Sequence, residues 1–254
     1  MAEIHEGHRE RMKRRFLENG LSSFSDHNIL ELLLFYALPR RDTNETAHRL
    51  MERFGSFSAV LDAPVDELAT VKGMGESAAL YLRLYAQVAR AYYNDRLKTG
   101  VVLDDPEKVG EYLVPKYIGV CNELVLLVCL DAKGKVLSCT EVMEGTVNAT
   151  QVSVRRIVET AVRSNATSVI LSHNHPSGLA LPSREDLTTT AKIQRALSLV
   201  GVTLVDHIIV ADNDWVSLRD SSYLLSDRQL QEAFAQPNFM WENEDDLPER
   251  DDTQ

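Results

Sequence analysis

Apolar positions in the first hundred residues recur every three or four residues, which is the period of an amphipathic helix. Ser25 and Asp26 are favourable N-cap residues, and Pro39 closes the apolar run that follows them. These signals predict a helical bundle with the following members: a basic helix after Gly7, an apolar helix that stops before Pro39, a helix at 44–54 ended by Gly55, short segments near 57–61 and 65–68, and a long helix to about Tyr93.

After residue 105 the pattern changes to short apolar runs separated by turn residues. Asp105 is a favourable N-cap and Pro106 suits the first helical position, so one more helix is predicted from here to about Tyr117. The stretch NELVLLVCL at 122–130 predicts a buried strand. The remaining predicted elements are a turn at 131–134, a strand at 136–142, a helix at 151–164, a strand that starts at 168, a helix at 183–200, a strand at 202–210 and a strand at 215–218. The order αββαβαββ predicts a mixed sheet with helices against it.

The change of pattern divides the chain into four parts. We predict an all-α domain at 1–98, a polar linker at 99–105, a sheet-containing domain at 106–225 and an acidic tail at 226–254. One short helix near 228–234 is expected in the tail, and the rest is predicted to be disordered because its pattern is not periodic. The predicted fold class is therefore α+β.

The net charge of −11 is unevenly distributed along the 254 residues. The tail holds nine acidic residues and two arginines, whereas residues 1–98 hold fourteen basic and fourteen acidic residues. This balance excludes a strongly basic nucleic-acid domain, so any contact with DNA would depend on a local patch. The basic side chains of the first helix alternate with acids and are interpreted as a solvated face.

Membrane and secretory signals are not found in the sequence. No apolar run is long enough to span a bilayer, and MAEIHEGHRERMKRRF has no apolar signal core. Cys121, Cys129 and Cys139 are odd in number and lack the spacing of zinc ligands. They are interpreted as buried reduced thiols, and we expect a cytoplasmic protein with no membrane partner.

Two histidines and an aspartate form the main candidate for chemistry. His173 and His175 alternate at the end of a predicted strand, so their side chains share one face. Asp186 follows near the start of a predicted helix, and two imidazoles with one carboxylate suit a catalytic zinc with an open fourth position. Ser183 and Asp186 also fit a helix capping box, but the histidines before them favour a metal site. His207 is interpreted as a hydrogen-bonded core residue rather than a fourth ligand.

A glycine-rich turn at 71–78 joins two predicted helices. Gly73 and Gly75 let the backbone approach a ligand and leave helix N-terminal amides free for an anion. The turn resembles the hairpin of helix-hairpin-helix modules, which bind the DNA backbone without reading sequence. Lys72, Gly73 and Gly75 are therefore candidate DNA contacts. A plain helix–helix turn is the alternative, because Glu76 occupies the anion position and Lys72 is the only cation in the turn.

The spacing His-x-His, ten residues, Asp resembles the signature of JAMM (MPN+) zinc hydrolases, which also places a serine where Ser183 stands. More narrowly, HNHPSG with PSREDL and DHII resembles the RadC family, as do GHRERMKRRF, ELLLFYALPR, LMERFGSF and VKGMGE in the first domain. This resemblance covers about residues 7–218. It departs at 179–181, where Leu-Ala-Leu replaces the usual acidic or polar residues.

The resemblance implies a fold, a cofactor and a mechanism. It implies a RadC-type helical domain before an α/β/α, cytidine-deaminase-like JAMM/MPN domain that holds one zinc ion per chain. A zinc ion would activate water and polarise an amide carbonyl. The family implies Glu123 as the general base that passes the proton to the leaving amine, and Ser183 as a donor to the oxyanion. Glu141 and Glu144 are rival bases that rank below Glu123.

Three functions stay open on the sequence alone. The first is a zinc-dependent peptidase or isopeptidase with a protein or peptide substrate. The second is a DNA-associated repair or recombination factor in which the metal site is structural or regulatory. The third, a metal-dependent nuclease, is the least favoured because one zinc suits amide hydrolysis better than a two-metal phosphoryl clamp. The sequence names no substrate and gives no oligomeric state.

Overall fold

A computed structural model describes residues 2–39, 41–96, 100–145 and 153–234 of the chain. The chain forms two compact units, Met1–Ala91 and Tyr92–Gln254. Within the described residues, no helix has both the length and the apolar character needed to cross a membrane.

The first unit is made of helices, as the apolar period predicts. Its elements are α1 Ala2–Asn19, α2 Asp26–Ala37, α3 Asn44–Phe54, α4 Phe57–Asp62, α5 Val65–Ala69 and most of α6 Glu76–Arg96. The apolar faces pack into one core, whose fully buried members include Leu30, Leu34, Leu50, Val60, Leu68 and Leu82. The first helix begins at Ala2, six residues before the predicted start at His8, and it continues through Gly7 because a glycine inside a helix weakens it by only about 1 kcal/mol.

The second unit contains the sheet and the helices that cover it. Its elements are α7 Pro106–Leu113 with a 3-10 turn Val114–Tyr117, β1 Glu123–Leu130, β2 Val136–Gly145, α8 Val154–Arg163, β3 Ser168–Asn174, α9 Arg184–Ser198, β4 Thr203–Ala211, β5 Asp214–Ser217 and α10 Asp227–Phe234. The sheet order is β2-β1-β3-β4-β5. Of the four strand pairs in the described part of the chain, β3 with β4 is parallel and the other three are antiparallel, so the sheet is mixed as predicted.

Alternate residues of β1 enter two different cores, because successive side chains of a strand point to opposite faces. Leu124, Leu126 and Val128 pack on one face with α7. Val125, Leu127 and Cys129 pack on the other with α8 and α9. The sheet is therefore covered by helices on both faces, and the fold class is α+β.

The predicted linker and tail are described in part. Residues 100–103 lie against the β1–β2 turn, where the amides of Gly100 and Leu103 donate to carbonyls of Val136 and Gly134, and Leu103 is buried in a core of the second unit. A helix is present at Asp227–Phe234, where a short one was expected in the tail. The rest of the predicted tail, at 235–254, lies outside the described residues.

Candidate metal centre

The end of β3 places His173 and His175 on one face of the sheet. His173 lies opposite Val125 in the antiparallel pair with β1, so both side chains point toward the face covered by α8 and α9. His175 follows directly after the strand, and its amide donates to the carbonyl of Val210 at 2.8 Å. This bond extends the strand geometry by one step and keeps the second imidazole beside the first.

Asp186 reaches the same point from the first turn of α9. Ser183 is the N-cap of that helix, and its hydroxyl oxygen accepts from the Asp186 amide while the Asp186 carboxylate accepts from the Ser183 amide at 2.8 Å. The Ser183 hydroxyl also lies 2.6 Å from Asp186 Oδ2 and donates to it. The predicted capping box and the predicted ligand are therefore one arrangement, because the cap fixes the carboxylate that faces the histidines.

Three ligand atoms converge at short range. His173 Nε2 lies 2.9 Å from His175 Nε2. The Asp186 carboxylate lies 3.2 Å from His173 Nε2 and 3.4 Å from His175 Nε2. Among the described residues these three side chains form the one group of histidine, cysteine or acidic residues with the spacing of a metal site.

The hydrogen bond behind His175 shows what the cluster can bind. His175 Nδ1 lies 2.9 Å from the carbonyl oxygen of Leu179, which can only accept, so the ring proton sits on Nδ1. In the neutral ring, Nε2 therefore presents a lone pair toward Asp186. The lone pair of His175 Nε2 and the negative charge of the Asp186 carboxylate repel each other unless a positive charge lies between them. A divalent cation bound by both groups would supply that charge.

The pKa values of the cluster agree with this preference. Hydrogen bonding to Asp186 raises the pKa of His175, and the charge of Glu123 adds a smaller effect in the same direction. Burial alone would raise the pKa of Asp186, but its interactions with His173 and His175 outweigh burial and hold that pKa well below its usual range. The centre thus favours a carboxylate next to a positive charge.

Glu123 is the first residue of β1 and has an exposed side chain. It lies on the same face of β1 as Val125, hence on the face of His173. The charge of Glu123 also contributes, as the smallest of several effects, to the raised pKa of His175. Of the rivals, Glu141 pairs with Leu126 and so points to the opposite face, toward α7. The side chain of Glu144 lies outside the described part of the chain.

Asn174, between the two histidines, was not singled out from the sequence. Its side chain is buried and bonds β1 on both sides of Glu123: Oδ1 accepts from the Leu124 amide at 2.8 Å, and Nδ2 donates to the Asn122 carbonyl at 3.1 Å. The residue between the ligands therefore fixes the backbone that carries Glu123. No local signal predicts this, because the bonded residues are about fifty positions apart.

His207 and Thr190 form a buried layer behind His173. His207 Nε2 lies 2.8 Å from His173 Nδ1, and His207 Nδ1 lies 2.6 Å from the Thr190 hydroxyl. Burial, together with the neighbouring His173, holds the pKa of His207 well below its usual value. The position of His207 agrees with its interpretation as a hydrogen-bonded core residue.

The glycine-rich turn lies in the first unit, between α5 and α6. Gly73 has φ +101°, and a Cβ there would come within 2.5 Å of the Thr46 hydroxyl, so the backbone needs glycine for its conformation and its packing. Lys72 and Gly75 are exposed. Two arginines border the turn: Arg49 donates to the Lys72 carbonyl at 3.1 Å, and Arg41 to the Gly73 carbonyl at 3.5 Å.

Comparison with known proteins matches both units. Residues 103–223 match the RadC-like JAB domain, and residues 4–80 match the UPF0758 N-terminal family. A UPF0758 protein of Fusobacterium nucleatum is 32% identical over 226 residues, which are 86% of this chain and 97% of that protein. UPF0758 proteins of Ruegeria pomeroyi and Nitrosococcus oceani are 35% and 34% identical, each over 85% of this chain and 97% and 96% of their own lengths.

Proposed function

We propose that this chain, which belongs to the RadC family of UPF0758 proteins, is a zinc-dependent hydrolase of peptide or protein amide bonds. The observation that carries this proposal is the convergence of His173, His175 and Asp186 within metal-binding distance beside Glu123. Two imidazoles and one carboxylate are a ligand set of catalytic zinc sites that keep a position open for water and substrate.

Each residue of the centre has a separate task in this proposal. A zinc ion held by His173, His175 and Asp186 would supply Lewis acidity toward water and an amide carbonyl. Glu123 would accept the proton of the attacking water and deliver it to the leaving amine. Its exposed side chain at the head of β1 can exchange protons with substrate, and Asn174 limits the movement of the backbone that carries it.

Ser183 would donate a hydrogen bond to the tetrahedral oxyanion. Its hydroxyl proton points to Asp186 Oδ2, so this role requires the hydroxyl to rotate. The rotation is inexpensive because the Ser183 amide still donates to the same carboxylate oxygen at 2.8 Å. A donor of this kind typically contributes about 3 kcal/mol to catalysis.

A reducing compartment suits the thiols of the second unit. Cys129 is buried in a core and Cys139 is half-buried, but Cys121 is exposed, so the expectation of three buried thiols is wrong for Cys121. None of the three forms a disulfide. Burial raises the pKa of the Cys139 thiol, which keeps it protonated and unreactive. These features support the proposal that the protein acts in the cytoplasm.

The metal is tested first, by elemental analysis of the purified protein and of a His173→Ala/His175→Ala variant after both are supplied with zinc. We expect about one zinc per chain in the parent and none in the variant. A parent protein that binds no zinc would overturn the proposal.

Hydrolysis is tested with a mixture of random peptides and a lysine-linked isopeptide, with new amino termini identified by mass spectrometry. Glu123→Gln should retain zinc and lose cleavage by about 100-fold or more, since it cannot take up a proton. Glu141→Gln is the matched control, because its carboxylate faces away from the centre, and it should cleave at the parental rate. Equal activity of Glu123→Gln and the parent would remove Glu123 from the mechanism.

A second candidate function is sequence-independent contact of the first unit with duplex DNA, in repair or recombination. The observation that favours it is the gathering of Arg41, Arg49 and the exposed Lys72 around the glycine-rich turn. Cations at an exposed backbone turn suit phosphate contacts that position a duplex without reading its bases.

This second function is tested by fluorescence anisotropy with a labelled random-sequence duplex over a range of salt concentrations. Lys72→Gln should weaken binding and reduce the slope of log K against log salt by about 0.9 for one lost phosphate contact. Lys133→Gln, at an exposed lysine of the β1–β2 turn, is the control and should leave the slope unchanged. Equal slopes in the parent and Lys72→Gln would exclude the turn as a DNA contact.

A further inference from the structure

His173 is the buried ligand of the centre, and its second ring nitrogen meets only protein groups. The residue is 2% exposed, and Nδ1 lies 2.8 Å from Nε2 of His207, which is 3% exposed. Of these two facing nitrogens, one must carry a proton and the other must accept it. Which one does so decides whether His173 Nε2 has a lone pair for a metal.

Thr190 decides the direction of the bond. Its hydroxyl lies 2.6 Å from the backbone carbonyl of Asp186 and 2.6 Å from His207 Nδ1. The Asp186 carbonyl oxygen has no proton to donate. Its distance of 2.6 Å from the Thr190 hydroxyl oxygen therefore requires that the hydroxyl donate to it. The one hydroxyl proton is then used, and His207 Nδ1 must donate its own proton to the Thr190 oxygen.

The remaining protons follow in order. A neutral His207 with its proton on Nδ1 has a bare Nε2, which accepts from His173. The proton of His173 is therefore on Nδ1, and its Nε2 keeps a lone pair directed at His175 and Asp186. The chain of hydrogen bonds runs from His173 to His207, from His207 to Thr190 and from Thr190 to the accepting carbonyl of Asp186, so it starts at one ligand and ends on the backbone of another.

We propose that His207 is a positioning residue that fixes the tautomer and the ring orientation of His173, so that His173 Nε2 is always ready to bind the metal. This inference rests on the proposed function, because it assigns a task within the same centre. Partners behind metal-bound histidines commonly act in this way, and their loss weakens metal binding about 10- to 100-fold. His207 itself does not reach the metal position, since its Nε2 is used by His173.

The tautomer is tested in protein labelled with ¹⁵N-histidine, by long-range ¹H–¹⁵N correlation spectra recorded without metal and with zinc. We expect a proton on His173 Nδ1 in both states and a proton on His207 Nδ1. A proton on His173 Nε2 in the metal-free protein, with His207 donating from Nε2, would overturn the proposal. This measurement does not require that the protein bind zinc, so it separates failure of this inference from failure of the proposed function.

Zinc affinity is measured with the same samples by competition with a chromogenic chelator. His207→Leu removes the acceptor and should weaken zinc binding about 10- to 100-fold, and His207→Gln, whose amide oxygen can accept, should restore part of it. Thr190→Val should have a smaller effect, with Thr189→Val on the same helix as the matched control. Parental affinity and an unchanged His173 tautomer in a folded His207→Leu variant would mean a purely structural role. If His207→Leu does not fold, Thr190→Val and the parental spectrum decide.

Discussion

The two histidines of the centre present the same atom to the same point, but the groups behind them differ. His173 is supported by a buried imidazole of β4 and a threonine of α9. His175 is supported by a single backbone carbonyl, that of Leu179, whose side chain is 64% exposed. One ligand is therefore part of the core and the other is part of a loop. Two residues with equal roles toward a metal can therefore have unequal roles in folding.

The largest expected effect is a difference in stability between two alanine variants. His173→Ala leaves a cavity and strands the acceptor nitrogen of His207, so the free energy of unfolding of the metal-free protein should fall by roughly 2–4 kcal/mol. His175→Ala removes a half-buried ring with a bond to an exposed loop and should cost less than about 1 kcal/mol. Urea denaturation in the presence of a chelator measures both free energies of unfolding, and equal losses would show that the two ligands contribute equally to folding.

Asn174, which lies between the two ligands, should separate stability from metal binding. Asn174→Ala leaves the buried amide of Leu124 without a partner and should lower the free energy of unfolding by about 1–3 kcal/mol. It should also slow peptide cleavage, because Glu123 loses the bonds that flank it. Zinc affinity should change little, since no ligand bond is removed.

The control for this variant is Asn122→Ala. Asn122 takes part through its backbone carbonyl, which alanine retains, so stability should change by less than about 0.5 kcal/mol. Chelator competition and urea denaturation are measured on both variants. A loss of zinc affinity in Asn174→Ala as large as in the histidine variants would show that Asn174 acts on the metal and not on Glu123.

The loop side is tested at Gly178, which has φ +81° and lies next to the carbonyl that holds His175. Space is not limiting, because a Cβ there would meet only Asp212 Oδ2 at 3.5 Å. Gly178→Ala should therefore cost about 1 kcal/mol through backbone conformation alone. Because this strain is present both with and without the metal, urea denaturation of the metal-free protein measures the loss. Gly178→Asn should be closer to the parent, since asparagine tolerates positive φ; equal losses in both variants would point to crowding instead.

The parts of this centre that sequence could predict are those set by local geometry. The two-residue period of a strand brings His173 and His175 to one face, and the Ser183 cap places Asp186 at the start of α9. The bounds of α3 are predicted to the residue because Gly55, at φ +86°, ends it. Each of these features depends on neighbours within a few positions.

The parts that could not be predicted depend on which strands become neighbours. Thr190 meets His207 across 17 residues, and Asn174 meets Leu124 across 50. A sequence pattern gives the faces of an element but not the register between strands that are distant in the chain. Glu123 became a candidate through family resemblance alone, and its position relative to His173 follows only from the pairing of β1 with β3.

The smallest expected effect concerns the opposite face of β3, where Ser172 accepts a hydrogen bond from the buried Tyr117 hydroxyl at 2.9 Å. Tyr117→Phe should lower the free energy of unfolding at pH 7 by about 1 kcal/mol. Zinc affinity should not change, because this bond lies on the α7 side of the sheet, away from the ligands. A loss of zinc affinity would show that the centre depends on the whole strand and not on the side chains behind each ligand.

The pH dependence of this variant provides a second measurement. Burial raises the pKa of Tyr117 well above its ordinary value, against a smaller opposing effect of the bond to Ser172. The stability that the neutral phenol contributes is therefore complete below about pH 10, the pKa in the unfolded chain. It falls as pH rises further, because the unfolded chain releases a proton that the folded protein retains. Phenylalanine cannot ionise, so the stability advantage of the parent over Tyr117→Phe should shrink above pH 10 and then reverse.

Urea denaturation from pH 7 to 11 measures the free energies of unfolding of both proteins. A difference that stays constant over this range would mean that the Tyr117 hydroxyl reaches solvent. The strand β3 would then be less tightly packed on this face than on the face of His173.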